Sequence, residues 1–255
     1  MPTMLRDSDR LSMPQVQRLA REALSRTGGM SARLADEHPS DARGSNSAIA
    51  LTNACFGPWQ RPVRNLHLGG SSGFERLQLH ARCPTGMRGT PPVLSVLTVG
   101  PSVAAGASVT VTEYLARRRP RPSAAPEPAP KHRGLEAWTH LWEEQAVEDG
   151  PFALLNAHLL IKQAFGLVAL FPDHELLLLY LYWQPSNWER FEAFRRHQEE
   201  VQRFADLVEG SRIRFLGRSL SAQLDEWGAP GAPPWLQNHV ERMRRRYDVA
   251  IRTYA

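Results

Sequence analysis

The stretch Glu175 to Trp183 reads ELLLLYLYW, and after its first residue it carries no charge and no alternation of polar with apolar positions. A strand with one face in water alternates, because successive side chains point to opposite faces; a strand that is apolar at every position needs cover on both. The run is too short for a membrane span and rich in aromatic and aliphatic side chains, so it predicts a strand at the centre of a sheet sandwiched between helices. The rest of the chain must supply that cover. Just upstream, FALLNAHLLIKQAFGLVALFP is apolar enough for a buried helix, which we expect to open at Pro151 and run to about Leu170.

Other elements are marked by local signals. Ser12 and Pro14 start a helix whose face is Val16, Leu19, Ala20, Ala23 and Leu24, and Gly28 and Gly29 stop it. A second short helix is expected at Ser47 to Phe56. Leu77, Leu79, Ala81 and Cys83 alternate with polar residues as in a half-buried strand, and further strands are expected at Val93–Val99 and Ala107–Val111. Arg117 to Gly134, RRRPRPSAAPEPAPKHRG, has too much proline for helix or central strand and is expected as an exposed loop. A helix at Leu135–Val147 precedes the apolar segment. Ser186 and Glu189 have capping-box spacing ahead of a stripe of Trp188, Phe191, Phe194, Val201, Phe204 and Val208 that ends at Gly210. A strand at Ile213–Leu216, a helix near Ser219–Trp227 and a basic helix at Pro234–Tyr247 complete the order. The first three strands are close enough in sequence to form an antiparallel meander, and a helical crossover then brings in the fourth. The expected class is α/β (α+β): a mixed central sheet flanked by helices, with residues 1–44 as an N-terminal helix and flexible arm and 45–255 as one domain interrupted by the loop at 117–134.

The chain has 255 residues, a formal charge of +5 and only two cysteines, Cys55 and Cys83, which form no CxxC pair. That usage fits a reduced, cytoplasmic setting, and no signal peptide or membrane span is expected. The basic balance permits a polyanionic partner such as DNA without requiring one. Arginine dominates the 31 basic residues, for Lys131 and Lys162 are the only lysines.

The stretches SNSAIALTNACFGPW, ARCPTGMRGTPPVLSVL, TVTEYL, LIKQAFGL, LLYLYWQP and WLQNHVERMRRRYDV span roughly residues 45 to 249. Together they resemble a bacterial family of nucleases of the PD-(D/E)XK type. The resemblance implies a restriction-endonuclease-like αβββαβ core, Mg²⁺-dependent hydrolysis of DNA, an Asp after the GTPP turn and a Glu-x-Lys ahead of TEYL. This chain has Ser95, Ser108 and Thr110 at those positions. His80 stands where the resemblance implies an acidic residue, and Asn156 and Leu159 where it implies Asp and Gln; Lys162 alone is retained. Magnesium is a hard ion, and neutral hydroxyls hold it poorly, so the resemblance implies a catalytically impaired nuclease that keeps some nucleic-acid binding, with no cofactor expected.

Two alternatives stay open: an active Mg²⁺-dependent endonuclease whose carboxylates have migrated to Glu75, Glu113, Glu143 or Glu144, and a protein-interaction module on the same scaffold. Alternation puts Glu113 on the opposite strand face from Ser108 and Thr110, which favours a structural role for it. Arg117, Arg118 and Arg119 can line a cleft, although charge runs more often face solvent. Arg242, Arg244, Arg245 and Arg246 sit on a helix whose Leu236, Val240, Met243 and Tyr247 are expected to pack inward, leaving the arginines for phosphate contact or solubility. His158 reads as a partnered core histidine, and Trp188, Phe191 and Phe194 as core.

Overall fold

The computed structural model describes residues 11–28, 47–116, 128–130, 132–144 and 151–253. Its helices are α1 (Met13–Gly28), α2 (Ala48–Phe56), α3 (Glu136–Glu144), α4 (Ala157–Leu170), α5 (Glu192–Leu207), α6 (Leu220–Trp227) and α7 (Pro234–Tyr247). Its strands are β1 (Arg76–Arg82), β2 (Val93–Val99), β3 (Val103–Thr110), β4 (Glu175–Tyr182) and β5 (Ile213–Ser219), with short 3-10 turns between. The protein is α+β: a five-stranded mixed sheet in the order β1-β2-β3-β4-β5, flanked by helices. The first three strands pair antiparallel, and β3, β4 and β5 pair parallel.

The apolar run at 175–183 decides this layering. Leu177, Leu179, Leu181 and Trp183 join a core cluster with α1, α2, α6 and α7, while Leu176, Leu178, Tyr180 and Tyr182 join another with α3, α4 and α5. Every β4 residue after Glu175 is buried. The middle position belongs to β3, however, and β4 is the next strand across. β3 begins four residues earlier than the alternation suggests. Its small residues allow close packing, for a methyl group on Gly106 would come within 3.0 Å of both Leu94 and Leu167 side chains.

α1 is not set apart from the domain. Its Val16, Ala20, Ala23 and Leu24 are buried in the first cluster, and Thr27 Oγ1 donates to the Arg246 carbonyl of α7 at 2.8 Å. At its start Gln15 Oε1 accepts from both the N–H and the hydroxyl of Ser12, which satisfies one of the free donors of a helix N-terminus.

Two helix starts differ from expectation. Pro151 does not open α4; Asn156 caps it, its Oδ1 accepting from Leu159 N–H at 3.3 Å. Residues 151–155 are held as irregular chain by Glu200, which accepts N–H bonds from Ala153 (3.0 Å), Leu154 (2.7 Å) and Leu155 (2.8 Å). Ser186 does not cap α5 either. Its own N–H donates to the Val249 carbonyl at 3.0 Å, so no free N–H remains there for Glu189, and α5 begins after a 3-10 turn without a side-chain cap. Most of the proline-rich segment, Arg117, Arg118 and Arg119 included, lies outside the described residues. Its end belongs to the fold: Ala129 packs on the second cluster and the Gly134 carbonyl accepts from Arg212 N–H at 2.9 Å.

Candidate functional site at the carboxyl end of the third strand

The hairpin of β1 and β2 switches faces halfway. Leu79 and Val96 pack in the first core cluster, but Ala81 and Leu94, two residues away on each strand, pack in the second. Alternation would keep each of these pairs on one face. The switch occurs at His80, the only non-glycine residue with positive φ among those described (53°), and at Ser95 opposite it, and the ladder skips that pair. Positive φ costs a residue other than Gly, Asn or Asp free energy, so the surrounding packing must impose it. His80 Nε2 meets Asn53 Oδ1 of α2 at 3.0 Å.

The β2–β3 ladder also stops there. Its outermost pair is Val96 with Ala107, and one step further would place Ser95 opposite Ser108. Ser95 lends a side chain where the ladder has lost a carbonyl: its Oγ accepts the Val109 N–H at 3.0 Å. Thus Ser95, Ser108 and Thr110 gather at one end of the sheet, where β2 parts from β3. The parallel register places Tyr180 beside Ser108 and Tyr182 beside Thr110.

α4 runs back along β3 and β4 after the crossover. Leu167 lies over Gly106; five residues earlier on a helix is about 7.5 Å and two residues further along a strand about 6.6 Å, which brings Lys162 level with Ser108. Lys162 is half-buried and makes no hydrogen bond or ion pair among the described residues. Its neighbour Gln163 is fully buried, donates through Nε2 to the Val93 carbonyl at 2.8 Å and leaves Oε1 unpaired, so it fixes the start of β2 next to Ser95. Nothing local in the sequence marks Gln163 for that role.

Glu113 is close to the site but fully engaged. Its Oε2 accepts from Thr110 Oγ1 (3.1 Å) and Val111 N–H (2.6 Å), and its Oε1 accepts from Ala48 N–H (2.9 Å) in the first turn of α2. A carboxylate at a helix N-terminus is favoured by the aligned peptide dipoles, and this one also closes the turn after β3. It meets Thr110 because the chain turns after the strand, where strand alternation no longer applies. Glu75 is at the other end of β1, its N–H on the Val99 carbonyl, and Glu144 pairs with His140 at 3.3 Å. Among the described residues, no group of three or more His, Cys, Asp or Glu side chains converges as a metal would need. The donors at this end are therefore two serine hydroxyls, a threonine hydroxyl already donating to Glu113, and one ammonium. Mg²⁺ demands anionic oxygens in octahedral array, and these residues do not fit it.

Behind the hydroxyls lies an aromatic cluster. Tyr180 Oη and His197 Nε2 are 2.9 Å apart, Tyr114 stacks on the His197 ring with centroids at 3.9 Å, and Tyr182 meets it edge-on at 4.9 Å. Burial pushes His197 down to about 3 and raises the phenols of Tyr114 and Tyr182. The imidazole is thus neutral at pH 7. Burial also pushes the Cys83 thiol up to about 12 and raises Cys55 further, which leaves neither as a nucleophile.

The basic residues of α7 divide. Arg244 pairs with Asp225 at 2.5 Å, Arg245 pairs with Glu241, and the Arg246 guanidinium lies over the Tyr247 ring, 5.3 Å from its centroid. Arg242 is exposed and has no ion pair among the described residues. Leu236, Val240, Met243 and Tyr247 pack inward, and His158 stacks on Trp142 with centroids at 4.4 Å. Phe191 and Phe194 are fully buried, and Trp188 is half-buried against the core. No helix among the described residues is long and apolar enough to cross a membrane. Compared with protein-family models, with curated proteins and with solved structures, the chain matches none.

Proposed function

We propose that this chain is a nuclease-fold protein of restriction-endonuclease-like type that has lost its hydrolytic site and keeps weak, sequence-independent binding to nucleic-acid phosphates. The observation that carries this reading is the engagement of Glu113: the one carboxylate bonded to a motif position, Thr110, spends both oxygens on the fold itself. Ser95, Ser108 and Thr110 offer hydroxyls in place of the acidic and basic groups that the family resemblance implies. Without a carboxylate pair nothing there holds a divalent ion, and without the ion nothing lowers the pKa of an attacking water. The meander followed by a helical crossover into parallel strands supports the fold assignment. The positive charge of the chain, exposed Arg242 and unpaired Lys162 support residual phosphate binding.

The test has two arms. In the first, labelled duplex DNA is titrated at low salt, and log K should fall linearly with log salt at about −0.9 per phosphate neutralised. In the second, purified wild-type protein is incubated with DNA and Mg²⁺ or Mn²⁺, and no cleavage is expected. The triple change Ser95→Asp, Ser108→Glu, Thr110→Lys restores the charges, and metal binding by calorimetry should appear in it. Reproducible metal-dependent cleavage by the wild type, lost in Glu113→Gln, would replace this reading with the migrated-carboxylate nuclease.

A further inference from the structure

A cavity of about 400 Å³ opens beyond the carboxyl ends of β4 and β5, beside the hydroxyl site but separate from it. Trp183, the residue after β4, is in its wall, and so are Leu220 and Ser221 at the start of α6. The crevice outside the carboxyl ends of parallel strands is where sheets of this kind take ligands, and the volume suits a small molecule. The chain's own tail builds the far wall. Asn187 donates through Nδ2 to the Ile251 carbonyl (2.9 Å) and accepts the Ile251 N–H through Oδ1 (2.9 Å), while Ser186 N–H holds the Val249 carbonyl. These bonds fix residues 248–251 against the 184–187 turn, so the cavity is preformed.

Three aromatic rings line this one cavity: Trp183, Trp188 and Tyr247. Trp183 is held by its own Nε1–H, which donates to the Tyr247 carbonyl at 2.7 Å, and Trp188 is half-exposed. Two carboxylates, Asp225 and Asp248, share the wall with a single cation, Arg244. Arg244 is already neutralised on Asp225 at 2.5 Å, whereas Asp248 makes no ion pair among the described residues. A cavity with several π faces and one uncompensated carboxylate attracts a bulky, weakly hydrated cation, because the rings present negative faces and the alkyl groups are shed from water at little cost. An anion would meet Asp248 and gain nothing from the rings.

We propose that this cavity is an aromatic cage for an alkylated ammonium group, quaternary in the tightest case. The cage stands independently of the nuclease reading, for none of its lining residues belongs to the hydroxyl site.

The test uses choline as probe and 3,3-dimethylbutan-1-ol, its neutral isostere, as control. Binding to the full chain is followed by NMR at the Trp188 indole N–H, assigned with Trp188→Phe. Choline should shift that signal saturably, and the neutral isostere should bind roughly tenfold more weakly, the difference expected for a partly desolvated cation on π faces. Trp188→Phe, which keeps a ring and its packing, should retain binding; Trp188→Leu should lose about tenfold, and Asp248→Asn, on an exposed side chain, about threefold. No saturation by about 50 mM choline, equal binding of the isostere, or unchanged affinity in Trp188→Leu would each overturn the proposal.

Discussion

Glu200, on the inner side of α5, accepts the N–H groups of Ala153, Leu154 and Leu155. Glu113, just past β3, accepts those of Ala48 and Val111. Each carboxylate closes a stretch where the backbone has neither helix nor ladder to satisfy it. They differ in setting: Glu200 is 7% exposed, while Glu113 lies open to water. A buried carboxylate that already serves three donors cannot be given up, whereas water can take over for an exposed one. The same contrast explains why the hydroxyl end of β3 is chemically poor. Its polar groups are occupied by the fold, whereas the aromatic cavity next to it has a carboxylate to spare.

The contrast predicts a graded series. Glu200→Ala should have the largest effect. It strands buried N–H groups, and Arg196, which lies 3.5 Å from the carboxylate, loses its partner. Leaving such donors unmet costs about 1–3 kcal/mol each in isolation and about 3–5 kcal/mol for the set after relaxation. Urea unfolding should report that loss. A change under about 1 kcal/mol would show that the 151–156 loop does not depend on this anchor.

His197, three residues before Glu200 on α5, tests burial on the same helix by pH. Its folded value near 3 is below the ordinary value of about 6.5. Above pH 6.5 both folded and unfolded chains hold it neutral, and its contribution to stability is complete. Below that, the unfolded chain takes up a proton that the folded one refuses, so stability falls by about 1.4 kcal/mol per pH unit down to about pH 3. Between pH 7.5 and 4.5 the wild type should therefore lose roughly 2–3 kcal/mol more than His197→Gln, which keeps a partner for Tyr180. Matching pH profiles for the two proteins would mean that the imidazole reaches water.

Glu113→Ala should cost less, about 1–2 kcal/mol, because its partners are near the surface and one of them is a helix N-terminal donor. Glu113→Gln keeps one acceptor oxygen and should recover about half, read by the same urea curves. If Glu113→Ala were as damaging as Glu200→Ala, exposure would not be what sets the scale.

How much of this was legible in the sequence depends on the reach of each signal. Layering, the meander and the crossover were readable, because ELLLLYLYW and the alternations at 77–83 and 93–99 are contiguous patterns. α1 was readable to the residue at its start, since Ser12 and Gln15 are near neighbours. Glu200 was not, since its partners lie 45 to 47 residues away and nothing local to α5 distinguishes it from a solvated glutamate. The same distance hid the failure of the Ser186 cap, whose N–H was claimed by Val249. Glu113 was read as structural for the wrong geometric reason: alternation put it on the far face, but the chain turns after Thr110 and brings it back to that hydroxyl. The aromatic cavity was hidden for a related reason. Trp183 and Tyr247 were each correctly read as core, and only the tertiary fold shows that their outer edges, with Trp188, enclose a space.

The smallest expected effect falls on Ser95, where the two roles compete most directly. Its hydroxyl replaces a ladder carbonyl for Val109 N–H at the point where β2 and β3 part. Ser95→Ala keeps the size of the side chain but removes the acceptor, so the half-buried N–H must find water. That should cost about 1 kcal/mol, a Tm shift of about 2–4 °C for a chain of this length. Ser95→Asp should restore an acceptor and a stronger one, because a carboxylate accepts an N–H more tightly than a hydroxyl does. It also places a charge beside buried Leu94 and Val96, which opposes the gain. Stability of Ser95→Asp within about 0.5 kcal/mol of wild type would mean that the strand parting accommodates an acidic side chain at this position without rebuilding. A loss of more than about 3 kcal/mol, well beyond Ser95→Ala, would mean that the opening has closed around the serine and that the hydroxyl is now part of the core.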